Sequence, residues 1–191
     1  MPHPPMRLLR TICVYCGSQP GTDPDFVSAA RQFGKILAEN KVGLVYGGGS
    51  IGLMGELAKS VLHHGGTVTG IIPEALTGSE RMLTTAQEMI VTRDLHERKR
   101  LMFERSDAFV ALPGGVGTLE ELVEQITWEQ LGHHQKPILI ANLKEFWQPL
   151  LALLEQMRHR RFIPDHWPVH YLVANSIEDI LPKLQAATDS D

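Results

Sequence analysis

Short apolar runs alternate along this chain with longer segments whose apolar residues recur at helical spacing. Thr11–Tyr15 and the stretches 44–46, 67–72, 108–112, 138–141 and 171–173 are of the first kind, and 89–91 predicts one more short strand. A parallel strand pair needs a long crossover, which a helix supplies, so this alternation predicts a parallel sheet flanked by helices. Phe26, Ala30, Phe33 and Leu37 repeat at helical spacing behind Asp23-Pro24, an N-cap followed by proline at the first turn. Further helices are predicted from about 52 to 63, 95 to 105, 118 to 131, 146 to 157 and 177 to 184. The stretch 73–88 is polar and irregular and reads as a long loop with function or mobility. A second loop, 160–170, carries Pro164 and Pro168. There is no internal repeat and no linker. The expectation is a single Rossmann-like α/β domain over 11–186, with short tails at 1–10 and 187–191.

The bulk numbers fit that picture and narrow the partners. A chain of 191 residues with 43% hydrophobic and 21% charged residues can bury a sizeable core. Its formal net charge of −4 speaks against nucleic acid as a partner, while local loops can still hold a small anion. The opening MPHPPMRLLRTICVY is broken by prolines and predicts no signal peptide. No apolar run reaches the roughly 18 residues of a membrane span, and a cytoplasmic protein is expected. Cys13 and Cys16 form a C-x-x-C, readable as a redox pair or half a metal site. Redox pairs sit at a helix start, however, and Cys13 lies inside the strand-like TICVY, so buried free thiols are expected. His63-His64 and His133-His134 lack a third ligand, and Arg100 stands where the zincin pattern begun by His96-Glu97 needs its second histidine. No metal is expected, and no G-x-S-x-G elbow occurs.

Two glycine loops follow apolar runs, the position where open parallel sheets bind ligands. The first, Gly47-Gly48-Gly49-Ser50-Ile51-Gly52, contains G-x-G-x-x-G. It suggests a dinucleotide, with Glu74 placed as the ribose acid. Yet it follows the second strand rather than the first, and Pro73 interrupts, so a packing role fits these glycines equally well. The second, Pro113-Gly114-Gly115-Val116-Gly117-Thr118, leaves one apolar strand and enters a helix. No lysine follows it, so it is not the triphosphate P-loop. A glycine-rich turn ahead of a capped helix would explain it alone; two such loops in one short sheet favour an anion of monophosphate size.

Two side chains stand out near these loops. Thr118-Leu119-Glu120-Glu121 has the form of a capping box, with Thr118 as cap and Glu121 reaching back. Repulsion would keep Glu121 off a phosphate, so a chemical role would direct it to a sugar. In the 95–105 helix, Leu95 and Met102 share a face, with Arg98 and Lys99 on or beside it. A cation there is costly unless it meets an anion; otherwise it snorkels or pairs with a structural carboxylate.

Together, the GGGSIGLMG run from Gly47, the Glu97-Arg98-Lys99 helix and Pro113-Gly114-Gly115-Val116-Gly117-Thr118-Leu119-Glu120-Glu121 resemble the LONELY GUY family. Its members are cytokinin riboside 5′-monophosphate phosphoribohydrolases, many once labelled possible lysine decarboxylases. The resemblance runs from about residue 12 to 180, and Leu95 departs from it by replacing the usual methionine. It implies a Rossmann-like homodimer with the site near the interface, acting without metal or organic cofactor. It implies Arg98 and Glu121 as the essential pair. Substrate contacts would fall on Lys99, on Gly114, Gly115, Val116, Gly117 and Thr118, on Gly17, Ser18, Gly48 and Gly49, and on Glu80 and Thr127. The expected reaction is hydrolysis of the N-glycosidic bond of an adenine-type nucleoside 5′-monophosphate, giving free base and ribose 5-phosphate. A non-catalytic nucleotide-binding module could use the same loops. For a pyridoxal phosphate decarboxylase the sequence marks no Schiff-base lysine with a supporting acid.

Overall fold

A computed structural model describes residues 9–78 and 82–189. Among them the strands are β1 (Thr11–Tyr15), β2 (Gly43–Tyr46), β3 (Val68–Pro73), β4 (Glu88–Thr92), β5 (Ala108–Ala111), β6 (Ile138–Ala141) and β7 (Leu172–Ala174). The helices are α1 (Pro24–Glu39), α2 (Gly52–His63), α3 (Leu95–Glu104), α4 (Val116–Gln130), α5 (Gln148–His159) and α6 (Ile180–Thr188). All seven strands form one parallel sheet in the order β4-β3-β2-β1-β5-β6-β7. The fold class predicted by the alternation is the one found.

The central strands β1, β2, β5 and β6 are buried on both faces, so they are continuously apolar rather than alternating, while the edge strand β4 keeps exposed residues. Ile12 and Val14 of β1 pack into one core with Phe33 and Leu37 of α1, Leu57 of α2 and Leu184 of α6. Cys13 and Tyr15 point to the other core, with Met102 of α3, Leu122 of α4 and Leu154 of α5. Cys16 belongs to the first core, so the two free thiols lie on opposite faces and are not a redox pair. Burial pushes both thiols well up from their ordinary value. Leu9 also packs into the first core.

Side-chain caps set the starts of α1 and α3. The Asp23 side chain caps α1 by accepting from the Asp25 amide at 2.9 Å, with Pro24 in the first turn. Asp94 caps α3 through the Glu97 amide at 2.8 Å, and Glu97 reaches back to the Arg93 amide at 2.9 Å. Two starts fall later than predicted. Residues 143–145 form a separate 3-10 turn, with Lys144 and Glu145 at positive φ, so α5 begins only at Gln148. Ile177 belongs to the core ahead of α6.

The pair α1–α2 packs unusually close. A Cβ on Gly34 would lie 2.6 Å from the Leu57 carbonyl oxygen and 2.8 Å from Ser60 Cβ. Gly34→Ala must force the helices apart, at a cost of about 1–3 kcal/mol. In a chain of this size the melting temperature should fall by roughly 2–4 °C per kcal/mol. An unchanged melting curve would mean that α1 and α2 slide apart freely.

Candidate active site

The strand order reverses between β1 and β5, and the loops leaving their carboxyl ends run side by side. The Leu112 amide donates to the Tyr15 carbonyl at 2.9 Å, the Gly17 amide to the Pro113 carbonyl at 3.1 Å, and the Met54 amide to the Gly17 carbonyl at 3.2 Å. Above this joint opens a cleft of about 210 Å³. Its walls are Tyr15, Cys16 and Ser18 after β1, Gly47 and Met54 around the first glycine loop, Arg98 and Met102 of α3, and Gly115, Val116, Gly117, Thr118 and Glu121 of α4. This is the crevice where ligands bind in open α/β sheets. A larger hollow of about 470 Å³ lies at the amino ends of β6 and β7. Its polar groups engage one another or the fold, as His170 does Glu129 at 2.7 Å and Lys136 the Phe103 carbonyl at 2.6 Å. The smaller cleft is therefore the candidate site.

Helix α4 begins at Val116, with Gly115 in extended conformation as its cap and no side-chain capping bond. The predicted capping box is thus corrected. Thr118 is the third helical residue rather than the cap, and Glu121 lies in the second turn, beyond reach of the cap amide. The cause is Gly115, which opens the helix early enough to aim the first-turn amides into the cleft. Those amides need partners and carry the positive end of the helix dipole, so they suit an anion. A Cβ on Gly115 or Gly117 would meet no atom within 4 Å, which leaves that space to a ligand.

Arg98 is 7% exposed. Its Nη2 donates to the Gly47 carbonyl at 3.4 Å and stands 3.9 Å from Glu121 Oε1, a charge pair rather than a hydrogen bond. Its Nε is buried with no hydrogen-bond partner. Met102 lies one turn along α3 on the buried side, and Leu95, on the same side of the helix, is 52% exposed at the helix start. Burial, the Cys13 thiol and the Glu121 carboxylate push the Tyr15 phenol well above its ordinary value, so it keeps its proton. The floor of the cleft is therefore neutral, with one buried guanidinium facing one carboxylate.

Other expected contacts lie elsewhere. Lys99 bridges α3 to α4, with Nζ 2.6 Å from Glu120 and 3.0 Å from Glu124. Burial lowers its pKa, but the two carboxylates outweigh that and the net shift is upward. Thr127 is exposed near the far end of α4, its hydroxyl donating to the Val123 carbonyl at 2.8 Å. Gly48, at φ +82, and Gly49 hold the segment at Met82 and Leu83 rather than the cleft. Gly17 and Gly114 line an adjoining apolar recess of about 310 Å³ that shares Ser18 and Gly115 with the cleft. Glu74 sits exposed in a 3-10 turn, away from the cleft. Glu80 lies outside the described residues. Tyr15, Cys16, Met54 and Met102 were not predicted to line the site. Tyr15 and Cys16 could have been found at the end of the first strand, and Met102 one turn beyond Arg98. No metal-ligating cluster occurs among the described residues.

Residues 54–184 match the family model described as "Possible lysine decarboxylase". A protein of Oryza sativa subsp. japonica named as a probable cytokinin riboside 5′-monophosphate phosphoribohydrolase is 45% identical over 179 residues, 94% of this chain and 78% of that protein. A cytokinin riboside 5′-monophosphate phosphoribohydrolase of Rhodococcoides fascians is 40% identical over 178 residues, 93% of this chain and 90% of its own. The chain belongs to the LONELY GUY family. Among solved structures, the molybdenum cofactor binding protein of Rippkaea orientalis superposes with a TM-score of 0.70 at 21% identity, covering 94% of this chain and 97% of that one. A second, named TM1055, gives a TM-score of 0.72 at 20% identity, with coverage of 93% and 99%. At these identities the structural likeness concerns the fold alone.

The geometry makes a stability prediction. Replacing both members of a buried ion pair by apolar side chains of similar size is often neutral or stabilising, whereas removing one partner leaves the other charge uncompensated. Arg98 has an unpartnered Nε and is bordered in the cleft by Met54 and Met102. The double variant Arg98→Met/Glu121→Leu should therefore melt at or above the wild-type temperature while losing activity. A loss of more than about 2 kcal/mol in a denaturation curve would instead make the pair a structural one.

Proposed function

We propose that this protein hydrolyses the N-glycosidic bond of adenine-type nucleoside 5′-monophosphates, those of cytokinin ribosides included, to free base and ribose 5-phosphate. The observation that carries this reading is the pairing of Glu121 with the buried Arg98 across a cleft that opens onto the amides of Gly115, Val116, Gly117 and Thr118. The 5′-phosphate binds those amides. Glu121 lies four residues beyond Gly117, roughly 6 Å along the helix axis, which sets its carboxylate beside the sugar. There it stabilises the positive, oxocarbenium-like transition state or takes a proton from the attacking water. Water oxygen bonds to the anomeric carbon, the carbon–nitrogen bond breaks, and the base leaves with a proton. Arg98 orients the carboxylate or the phosphate, or supports the departing base. With Tyr15 and the two thiols neutral, the charge pair acts in a poorly solvated pocket, where electrostatics is strong. Homodimer formation belongs to the same reading. Leu95 on α3 and Val116, Val123 and Leu131 along α4 are large apolar side chains left exposed. Thr127 shares the Val123–Leu131 side of the helix, so a partner seated there would bring it toward an interface.

The phosphate assignment is tested with a panel of nucleoside monophosphates assayed for released base. AMP or an N6-substituted AMP should be cleaved, and the matching nucleoside at least about a hundredfold more slowly, because remote binding energy is lost. Equal rates for AMP and adenosine would defeat it.

The Glu121 assignment is tested with Glu121→Gln. No cap is lost, because Gly115 opens the helix without Glu121. The buried Arg98 loses its countercharge, so stability should fall, by up to about 3 kcal/mol, with the protein still folded. Base release should drop by roughly 10²–10⁴-fold, the usual contribution of a positioned acid–base group. Monophosphate binding, measured by titration, should persist. Full activity would remove the carboxylate from the chemistry and leave a nucleotide-binding module.

A further inference from the structure

Gly47 is the first residue after β2, and it is buried. Its backbone φ is not in the left-handed region, unlike that of Gly48 at +82. The chain's conformation therefore does not demand glycine at this position. What demands it is Arg98. A Cβ on Gly47 would lie 2.2 Å from Arg98 Nη2 and 2.9 Å from Met54 Sδ, and the third nearest atom, at 3.4 Å, is Arg98 Cζ. The guanidinium occupies the volume that a side chain at position 47 would take. The same Nη2 donates to the Gly47 carbonyl at 3.4 Å and faces Glu121 Oε1 at 3.9 Å.

We propose that Gly47 is a positioning residue for the reaction: its carbonyl and the empty volume over its Cα set the Arg98 guanidinium opposite Glu121. The inference rests on the reading that Arg98 and Glu121 carry the chemistry. Arg98 reaches the cleft from α3, and its Nε finds no partner there. The thioethers of Met54 and Met102 border the cleft as well, and thioether sulfur is a weak acceptor. The Gly47 carbonyl is the strong acceptor that the guanidinium meets. A methyl group added at Gly47 pushes on Nη2, the nitrogen nearest the carboxylate, and the displacement falls on the pair. Misplacing a reacting group by about 1 Å can cost roughly 10²-fold in rate.

The test is a double-mutant cycle on Gly47→Ala, Arg98→Ala and the double variant, with base release from a cleaved monophosphate and a melting curve for each. Gly47→Ala should remain folded and lose at least about tenfold in kcat/KM. With the Arg98 side chain gone only the flexible Met54 thioether, at 2.9 Å, has to give way, so the double variant should be as active as Arg98→Ala, within about twofold. A general packing defect would instead lower both backgrounds by the same factor, and that result overturns the inference. So does a Gly47→Ala enzyme within twofold of wild type while Arg98→Ala is inactive; the reading of Arg98 then stands alone. Wild-type turnover in Arg98→Ala overturns the reading of Arg98 and the inference with it. Should Gly47→Ala fail to fold, the double variant decides. Recovered folding places the clash at Arg98 and supports the inference, and no recovery overturns it.

Discussion

Two adjacent parallel strands whose following connections leave in opposite directions cannot cover the space above their carboxyl ends. Here β1 feeds a helix that leads to β2, and β5 feeds one that leads to β6 on the other side. The gap between them stays open while the loops below it zip together through the Leu112–Tyr15 and Gly17–Pro113 hydrogen bonds. That constraint places the amino end of α4 over the gap and brings Arg98 of α3 opposite Glu121. The register Tyr15↔Ala111 holds both loops at one height, so the first turn of α4 and the charge pair share one cleft.

Burying Arg98 runs against folding. A guanidinium at 7% exposure, with an unpartnered Nε and its countercharge at 3.9 Å, is poorly compensated for its lost hydration. Lys99, the next residue, shows the contrasting solution. Its ammonium sits within ordinary bonding distance of two carboxylates and ties α3 to α4. One cation is satisfied by the fold and the other is left under-satisfied at a cleft. An under-satisfied buried cation at a cleft is what a ligand could complete, and in this the neighbouring positions differ.

The fold was legible because burial on both faces forces the central strands into continuous apolar runs, and helices of ten or more residues separate successive strands except β3 and β4. Asp23-Pro24 announced α1 because an oxygen-bearing cap and a proline each satisfy a requirement of the first turn. The start of α4 was misread for a physical reason as well. Thr118 with Glu121 has the chemistry of a capping box, yet Gly115 in extended conformation opened the helix three residues earlier. Periodicity placed Arg98 near an apolar stripe but could not tell which flank of α3 was covered. Met102 is buried there, while Leu95 lies half exposed. The roles of Lys99, Gly48 and Gly49 were invisible for a different reason. Each depends on a partner distant in sequence: Glu120 and Glu124 for the lysine, and the segment at Met82 and Leu83 for the glycines.

The glycines of the second loop separate once each is asked what a Cβ would touch. On Gly114 it would fall 2.1 Å from Thr118 Oγ1, so that glycine serves the close packing of the loop on its own helix. On Gly115 and Gly117 it would touch nothing within 4 Å. An empty approach over exposed amides does nothing for stability, since alanine at a compatible position stabilises by reducing the freedom of the unfolded chain. It would let a bulky anion come close to backbone N–H groups. A single motif therefore mixes a residue required by the fold with residues whose amides are left open. The same question asked at Gly47 returns Arg98 as the neighbour, which links the first glycine loop to the charge pair instead of to a phosphate.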